Sequence, residues 1–541
     1  MEPQRILMRA GRPPHDETSN PAALAWRGGG HFASNSGNML FSDAMYRVLN
    51  TSAASVTCDA YLPERYVLSD DQISHINDTY SAYVIPLANA FRDSFLPALN
   101  RLTTNIERLT IPVVVGSVGC QLDLDDAHAT ISDDVAASTR RFVSAILDHS
   151  PQIGVRGDTT RRVLLNLGFH DADIAVIGCP SMFSRTRTFS VAKTLDRLST
   201  DSLLATNFEA GNTNFGTAGA ASDEALSTVY SANENAYSHL TSVFQTLDGA
   251  NLVLWGQLAK NFPEGTPRSS ADSAYAESRL RFFTNTRSWC DFMSTQDFSF
   301  GIRIHGAIAA LVSGTPAYLL SVDSRTQELG DYHGIPRQSL TSAVESGHYL
   351  AQDFYEQADF TEFNARMPEN WDRYYAYLEA CGLHHIHEAG FENPDYDQVL
   401  RTFHPTPGMA PISLNDPEGL AERFLWLRQD RDRDHWRPVH NYHPDFELDA
   451  ELSEKVRSPQ GVIKDLRKAV AAEKTTSRNL QRRLDEQAAS LRTSQEKSAR
   501  LSSTLATAQK EIEELQRFRT EASQSFGTRL AKAIKRRLHL K

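Results

Sequence analysis

The pair Arg303-x-His305 interrupts an otherwise apolar, glycine-punctuated run, FSFGIRIHGAIAALVSGTPAYLLSVDSR, over Phe298–Arg325. These two residue types can do chemistry together. A guanidinium offers a fixed fork of donors to a carboxylate or phosphate, and an imidazole exchanges a proton near neutral pH. The surrounding residues supply a setting. Phe298–Ile304 alternates like a strand, and Gly306 permits a tight turn. The following AIAALVS reads as a short helix closed by Gly314, before Pro316 opens the next strand. Arg303 and His305 thus fall at the carboxyl end of a parallel strand, ahead of a helix N-terminus. Open α/β sheets bind ligands at that edge, and the exposed N–H groups of a helix start favour anions. By residue type alone, His305 fits equally a structural role, bonded to the backbone of the next loop.

The elements that must position this pair are legible as short apolar runs alternating with amphipathic stretches. IPVVVGSVG (Ile111–Gly119), DIAVIGCP (Asp173–Pro180), SLLATNF (Ser202–Phe208) and NLVLWG (Asn251–Gly256) predict buried strands. DDVAASTRRFVSAILDHS (Asp133–Ser150) and TTRRVLLNLG (Thr159–Gly168) predict helices, the second with Asp158 as its N-cap. Continuous apolar strands alternating with helices indicate parallel sheets covered on both faces. The expected fold is α/β: two doubly wound Rossmann-like domains facing a cleft, over 29–190 and 191–345, joined by a polar hinge at Ser184–Asp201. A disordered leader over 1–28 precedes them. A helical extension over 346–457 follows, with ENWDRYYAYLEACGL (Glu369–Leu383) as its clearest helix.

From residue 458 the character changes. With a heptad starting at Ile463, eleven of sixteen a and d positions up to Leu515 are apolar, which predicts a coiled coil over 458–518 and homo-oligomerisation through 463–515. A single solvated helix is the alternative. The tail over 519–541 spaces Leu530, Ile534 and Leu538 at helical intervals among Lys532, Lys535, Arg536 and Arg537, a pattern suited to peripheral contact with an anionic membrane surface.

Charge is divided along the same line. Residues 461–541 hold 19 Lys and Arg against 9 Asp and Glu, whereas the rest holds 36 against 58. An acidic body argues against nucleic-acid binding. The five cysteines (58, 120, 179, 290 and 381) form no CxxC or metal-ligand spacing, so a reducing, cytoplasmic setting and no metal are expected. The start MEPQRILMRAGRPPHDE lacks the apolar core of a signal peptide.

Four blocks, in order, resemble the polysaccharide pyruvyl transferase family: NSGNMLFSDAMYRVL (Asn35–Leu49), VVVGSVGCQ (Val113–Gln121), IGVRGDTTRRVLLNLGFHDADIAVIGCPSMF (Ile153–Phe183) and RIHGAIAALVSGTPAYLLSVDSRTQELGDYHGIP (Arg303–Pro336). The resemblance spans about residues 31–385. It implies a GT-B-like scaffold without a cofactor, with phosphoenolpyruvate as donor and a glycan acceptor, including a lipid-linked repeat unit at the inner face of the membrane. Two sugar hydroxyls would become a pyruvate ketal as phosphate leaves. His305 is then an acid/base candidate beside Arg303. Gly306, Asn35, Gly37, Asn38 and Asn207 are substrate-binding candidates, while Arg156, Asp158 and Gln121 fit structural roles better. Two departures stand out. YVIPLANAFR keeps Asn89 without the family's glycine pair, and LLATNFEAG offers Asn207 where the family tends to place an arginine. His31, Arg281 and Arg287 are candidates to replace that charge. A nucleotide-sugar glycosyltransferase on the same scaffold, or a lapsed relative serving as a coiled-coil scaffold protein, are the alternative functions.

Overall fold

One of the two interior strands of the first sheet is the earliest in the chain. β1 (Gln4–Met8) lies between β2 (Ala54–Cys58) and β3 (Ala82–Pro86), with β5 (Val113–Gly116) beyond β3, and every pairing is parallel. Ile6 and Met8 join one apolar core and Leu7 the other, so both faces of β1 are buried. The expected leader is therefore corrected over 4–15. A strand of five residues needs only the three apolar ones of QRILM, and the flanking charges and prolines disguised it. Residues 16–28 lie outside the described part of the chain. The computed structural model describes residues 4–15, 35–122, 131–209, 219–413, 415–432, 500–517 and 519–522, with 497, 528, 529, 532 and 536.

Two short parallel pairs extend this region: β4 (Asn89–Phe91) with β6 (Gly119–Cys120), and β7 (Ile153–Val155) with β8 (Ile174–Val176). The second sheet contains β9 (Leu204–Asn207), β10 (Leu240–Phe244), β11 (Leu280–Phe282), β12 (Phe298–Gly301), β13 (Ala317–Ser321) and β14 (Arg337–Ser339). Its order is β11-β10-β9-β12-β13-β14, again all parallel. The chain winds outward from β9 in one direction, then crosses back to β12 and winds outward in the other. Such a sheet has a switch point, here between β9 and β12, outside whose carboxyl ends a crevice forms. The first sheet has its own between β1 and β3. Both sheets belong to one compact unit, Met1–Asp449.

Two local readings change. NLVLWG is not a strand. It lies in a helix, Leu247–Trp255, that starts where Thr246 accepts from Gly249 N and ends at Gly256, whose φ is +66°. A short apolar run cannot by itself distinguish a buried strand from a buried helix, and here the flanking cap residues decide. Asp158 is the first residue of its helix, with Gly157 at the N-cap.

Of the helical extension, the helix Thr361–Ala380 matters most for position. Its Tyr377 Oη donates to Val115 O at 2.6 Å and accepts from Gly154 N at 3.0 Å, joining β5 to β7. Asn364 of the same helix holds Val191 through both backbone groups, which ties down the expected hinge segment. Near the C-terminus, residues 500–517 are helical. The heptad positions before 500, and Leu530, Ile534 and Leu538 of the tail, lie outside the described residues. Among the described residues no helix is long and apolar enough to cross a membrane.

Candidate active site

The Arg303–His305 pair sits at the switch point of the second sheet. β9 and β12 run in register, with Gly301 opposite Asn207. The chain leaving β12 turns at once into α2 (Ile304–Val312), with Arg303 at its N-cap. The helix thus starts earlier than the sequence suggests, and His305 lies in its first turn. Glu209, two residues past β9, is buried and anchors this corner. Its carboxylate accepts from Gln245 N at 2.6 Å, from Thr246 N at 2.9 Å and from the Thr246 hydroxyl. Arg303 Nε donates to the Glu209 carbonyl at 2.8 Å. Burial lowers the Arg303 pKa, and the Glu209 charge opposes that shift.

His305 is 8% exposed. Among the described residues its buried Nε2 has no hydrogen-bond partner, and the Phe41 ring lies 5.6 Å away. Burial first, then the charges of Arg156, Arg303 and Arg325, push its pKa down to about 3. The free protein therefore holds a neutral imidazole at physiological pH. A neutral ring among cations accepts a proton readily only when an anion joins it.

The cleft beside this pair has a volume of about 390 Å³. Five arginines line it: Arg9 past β1, Arg92 past β4, Arg156 past β7, Arg303, and Arg325. The last lies in α3 (Ser324–His333), whose N-cap Asp323 accepts from Arg325 Nε at 2.8 Å. Arg9 Nε donates to Glu64 at 2.8 Å, and its Nη1 to Pro86 O at 2.8 Å. Arg156 is buried with Nε and Nη2 each 3.3 Å from Ser117 O. Asn35 and Asn38 also line the cleft, the latter in the first turn of α1 (Gly37–Leu49).

Gly37, Gly306 and Asn207 do not line it. They pack one layer behind. A Cβ on Gly306 would fall 2.2 Å from Asn207 Cγ, and Asn207 Oδ1 accepts from Gln245 Nε2 at 3.4 Å. Gln121 accepts from Asn89 Nδ2 at 2.7 Å. Neither arginine suggested as a replacement for the missing charge lines the cleft. Arg281 is spent on the carbonyls of Ser278 and Leu280, and Arg287 on those of Leu400 and Phe403. His31 lies outside the described residues. Sequence reasoning passed over Arg9, Arg92 and Glu209, and took Arg325 only as part of the family-like block Arg303–Pro336. Each follows the end of a β-strand, and that position was the available signal.

One group among the described residues has metal-ligand spacing: Glu379, His385 and Glu388, with ligand atoms within 4.8 Å of one another. His387 N donates to His385 Nδ1 at 3.3 Å, which leaves Nε2 to carry the proton toward Glu379 and Glu388 at 3.3 and 3.6 Å. That is a hydrogen-bonded histidine, and none of the three lines the cleft.

The model of the family described as polysaccharide pyruvyl transferase matches residues 35–324, more than half of the chain. The chain belongs to the polysaccharide pyruvyl transferase family. The pyruvyl transferase match takes in every arginine of the cleft except Arg9 and Arg325. No curated protein matches the chain. Among solved structures it is similar to UDP-GlcNAc 2-epimerase from Methanocaldococcus jannaschii in complex with UDP-GlcNAc and UDP, at 10% identity and TM-score 0.37, covering 70% of this chain and 100% of that one. The UDP-GlcNAc-bound epimerase from Neisseria meningitidis gives 9%, 0.33, 70% and 100% in the same terms. Anabaena Alr3699/HepE in complex with UDP-glucose gives 12%, 0.36, 70% and 99%. At these scores the likeness carries no argument beyond what the two sheets show.

Proposed function

We propose that this protein transfers the pyruvyl group of phosphoenolpyruvate to two hydroxyls of a sugar in a cell-surface or exopolysaccharide glycan, forming a ketal and releasing inorganic phosphate. The observation that carries the reading is the gathering of five arginines in one cleft with a buried, neutral histidine. A donor with both a carboxylate and a phosphate group meets its complement there. The scaffold is read as GT-B-like, with donor and acceptor meeting between the two sheets.

The proton count suits a single imidazole. Two acceptor hydroxyls lose protons; one ends on the methylene carbon, which becomes methyl, and the other leaves with phosphate. Neutral His305 accepts the proton of the attacking hydroxyl and returns it to the methylene carbon, so one side chain serves as base and then acid. The arginines stabilise the departing phosphate charge.

The acceptor is read as a lipid-linked repeat unit, approached from the inner face of the membrane with help from the basic tail. A second copy of the chain is the proposed partner of the C-terminal helix. There Leu501, Leu505, Ile512 and Leu515, all on the heptad seam, are 71%, 63%, 54% and 67% exposed. Purified protein given phosphoenolpyruvate and a diol-bearing glycan should release phosphate, and His305→Ala should abolish the release with the fold intact. Turnover retained in that variant would remove His305 from the chemistry.

A further inference from the structure

The charges of the cleft do not cancel. Arg9 is paired with Glu64, Arg303 lies beside Glu209, and Arg325 is held by Asp323. Arg156 has the Ser117 carbonyl and, nearby, Glu328, whose carboxyl burial pushes up to about 7. Arg92 has none of these. Among the described residues no hydrogen-bond acceptor meets its buried Nε. The charges that act on it are the like charge of Arg325 and, opposing it, Asp323, which is already engaged by Arg325. Burial first and Arg325 second lower its pKa to about 10. A guanidinium desolvated beside a second guanidinium is a poor resting arrangement and a good anion site, because an oxyanion between them supplies the missing acceptor.

The placement is equally specific. Arg92 leaves the carboxyl end of β4, on the first-sheet side, whereas Arg325 opens α3 on the second-sheet side. An anion bound by both joins the two walls of the cleft.

We infer that Arg92 is the ligand for the phosphoryl group of the donor, acting with Arg325 and leaving Arg303 and His305 to the reacting end. This rests on the donor reading proposed above, but makes a separate claim. The phosphoryl dianion is preferred over a carboxylate because two guanidiniums line the cleft here against one carboxylate, Asp323, which Arg325 already engages. Arg92 then discriminates a phosphorylated three-carbon acid from its dephosphorylated product.

The test is calorimetric titration of the full-length protein, Arg92→Gln and Arg92→Lys with inorganic phosphate, phosphoenolpyruvate and pyruvate. Thermal unfolding of each variant checks that it is folded. Loss of one charge-assisted contact should weaken phosphate and phosphoenolpyruvate by about tenfold or more in Arg92→Gln. Arg92→Lys, or added guanidinium, should recover part of that loss, and pyruvate should change little. Unchanged phosphate affinity in Arg92→Gln overturns the assignment, as does a wild type that binds no phosphate. An equal loss for pyruvate overturns it too, since the residue would then sense charge at large. If the wild type binds phosphate through Arg92 yet ignores phosphoenolpyruvate, the assignment of an anion ligand stands and the donor reading falls.

Discussion

Gly37 and His305 approach each other more closely than a side chain permits: a Cβ on Gly37 would lie 2.7 Å from Nδ1 of His305. It would also meet Gln245 Oε1 at 2.8 Å. The first turn of α1 therefore forms the wall against which the imidazole rests. Gly37→Ala should push the ring aside. A displacement of ~1 Å at a reacting group can cost ~100-fold, so turnover should fall by at least about tenfold, with a stability cost of about 1–3 kcal/mol. Steady-state kinetics beside urea unfolding checks this, and a variant with wild-type turnover would show that Gly37 does not orient His305.

The depressed histidines set a pH dependence whose sign can be worked out. His305 and His333 both sit at about 3 in the fold, against an ordinary 6.5, His333 because burial first and then Arg366 disfavour its charged form. Between those two values the unfolded chain binds more protons than the native one, so their contribution makes stability fall as pH drops from 6.5 toward 3. Asp59, which burial raises to about 7, acts in the opposite sense, losing stability as pH rises from about 4 to 7. The informative quantity is thus the difference between wild type and His305→Gln. That variant should show a flatter loss of stability between pH 6.5 and 5 in urea unfolding, and equal slopes would contradict the burial argument.

Donor binding should move a proton. Burial first, then Arg156, Arg303 and Arg325, depress His305, and an anion placed among those arginines offsets their charges, so its pKa climbs on binding. Calorimetry of phosphoenolpyruvate binding near pH 6, in buffers of different ionisation enthalpy, should reveal proton uptake that His305→Gln lacks. Identical uptake in both proteins would place the titrating group elsewhere.

Tyr377 reports on the sheet that carries Arg156. Its buried hydroxyl both donates to Val115 O and accepts from Gly154 N. Tyr377→Phe leaves a buried carbonyl and N–H unpaired, a cost of about 1–3 kcal/mol. Chemical denaturation should show that loss in the midpoint with little change in slope.

The exposed seam of the C-terminal helix makes a further prediction. A double substitution, Leu505→Glu with Ile512→Glu, should convert an oligomer to a monomer in sedimentation-velocity runs while donor binding persists. A wild type that is monomeric at tens of micromolar would remove the coiled-coil partner.

Much of this was legible from the chain, and the exceptions have physical causes. The strand at Phe298–Gly301 and the anion-suited helix start beside it could be read because strand, turn and helix follow one another within a dozen residues. Gln4–Met8 could not, because its apolar partners lie some 50 and 80 residues away, where composition along a window has no reach. The same separation hid Arg9 and Arg92, which reach the cleft of Arg303 only after two sheets have formed. Asn207 was expected to touch substrate and instead packs under Gly306, a distinction of one layer that spacing along a strand does not encode.

The walls of the cleft are fastened to each other directly. Leu122 N donates to Ser324 Oγ at 2.8 Å while Ser324 N donates to Leu122 O at 3.2 Å. Thr160 N donates to Glu328 at 2.6 Å, and Ser36 N to Gln245 O at 2.8 Å. These clasps make the cavity a socket rather than a jaw. A small anion that enters finds its contacts already assembled and spends little of its binding energy on rearranging the protein. Selectivity must then come from shape and charge fixed in advance. Under the proposed reaction, a glycan larger than this cleft of about 390 Å³ would offer it one residue at a time.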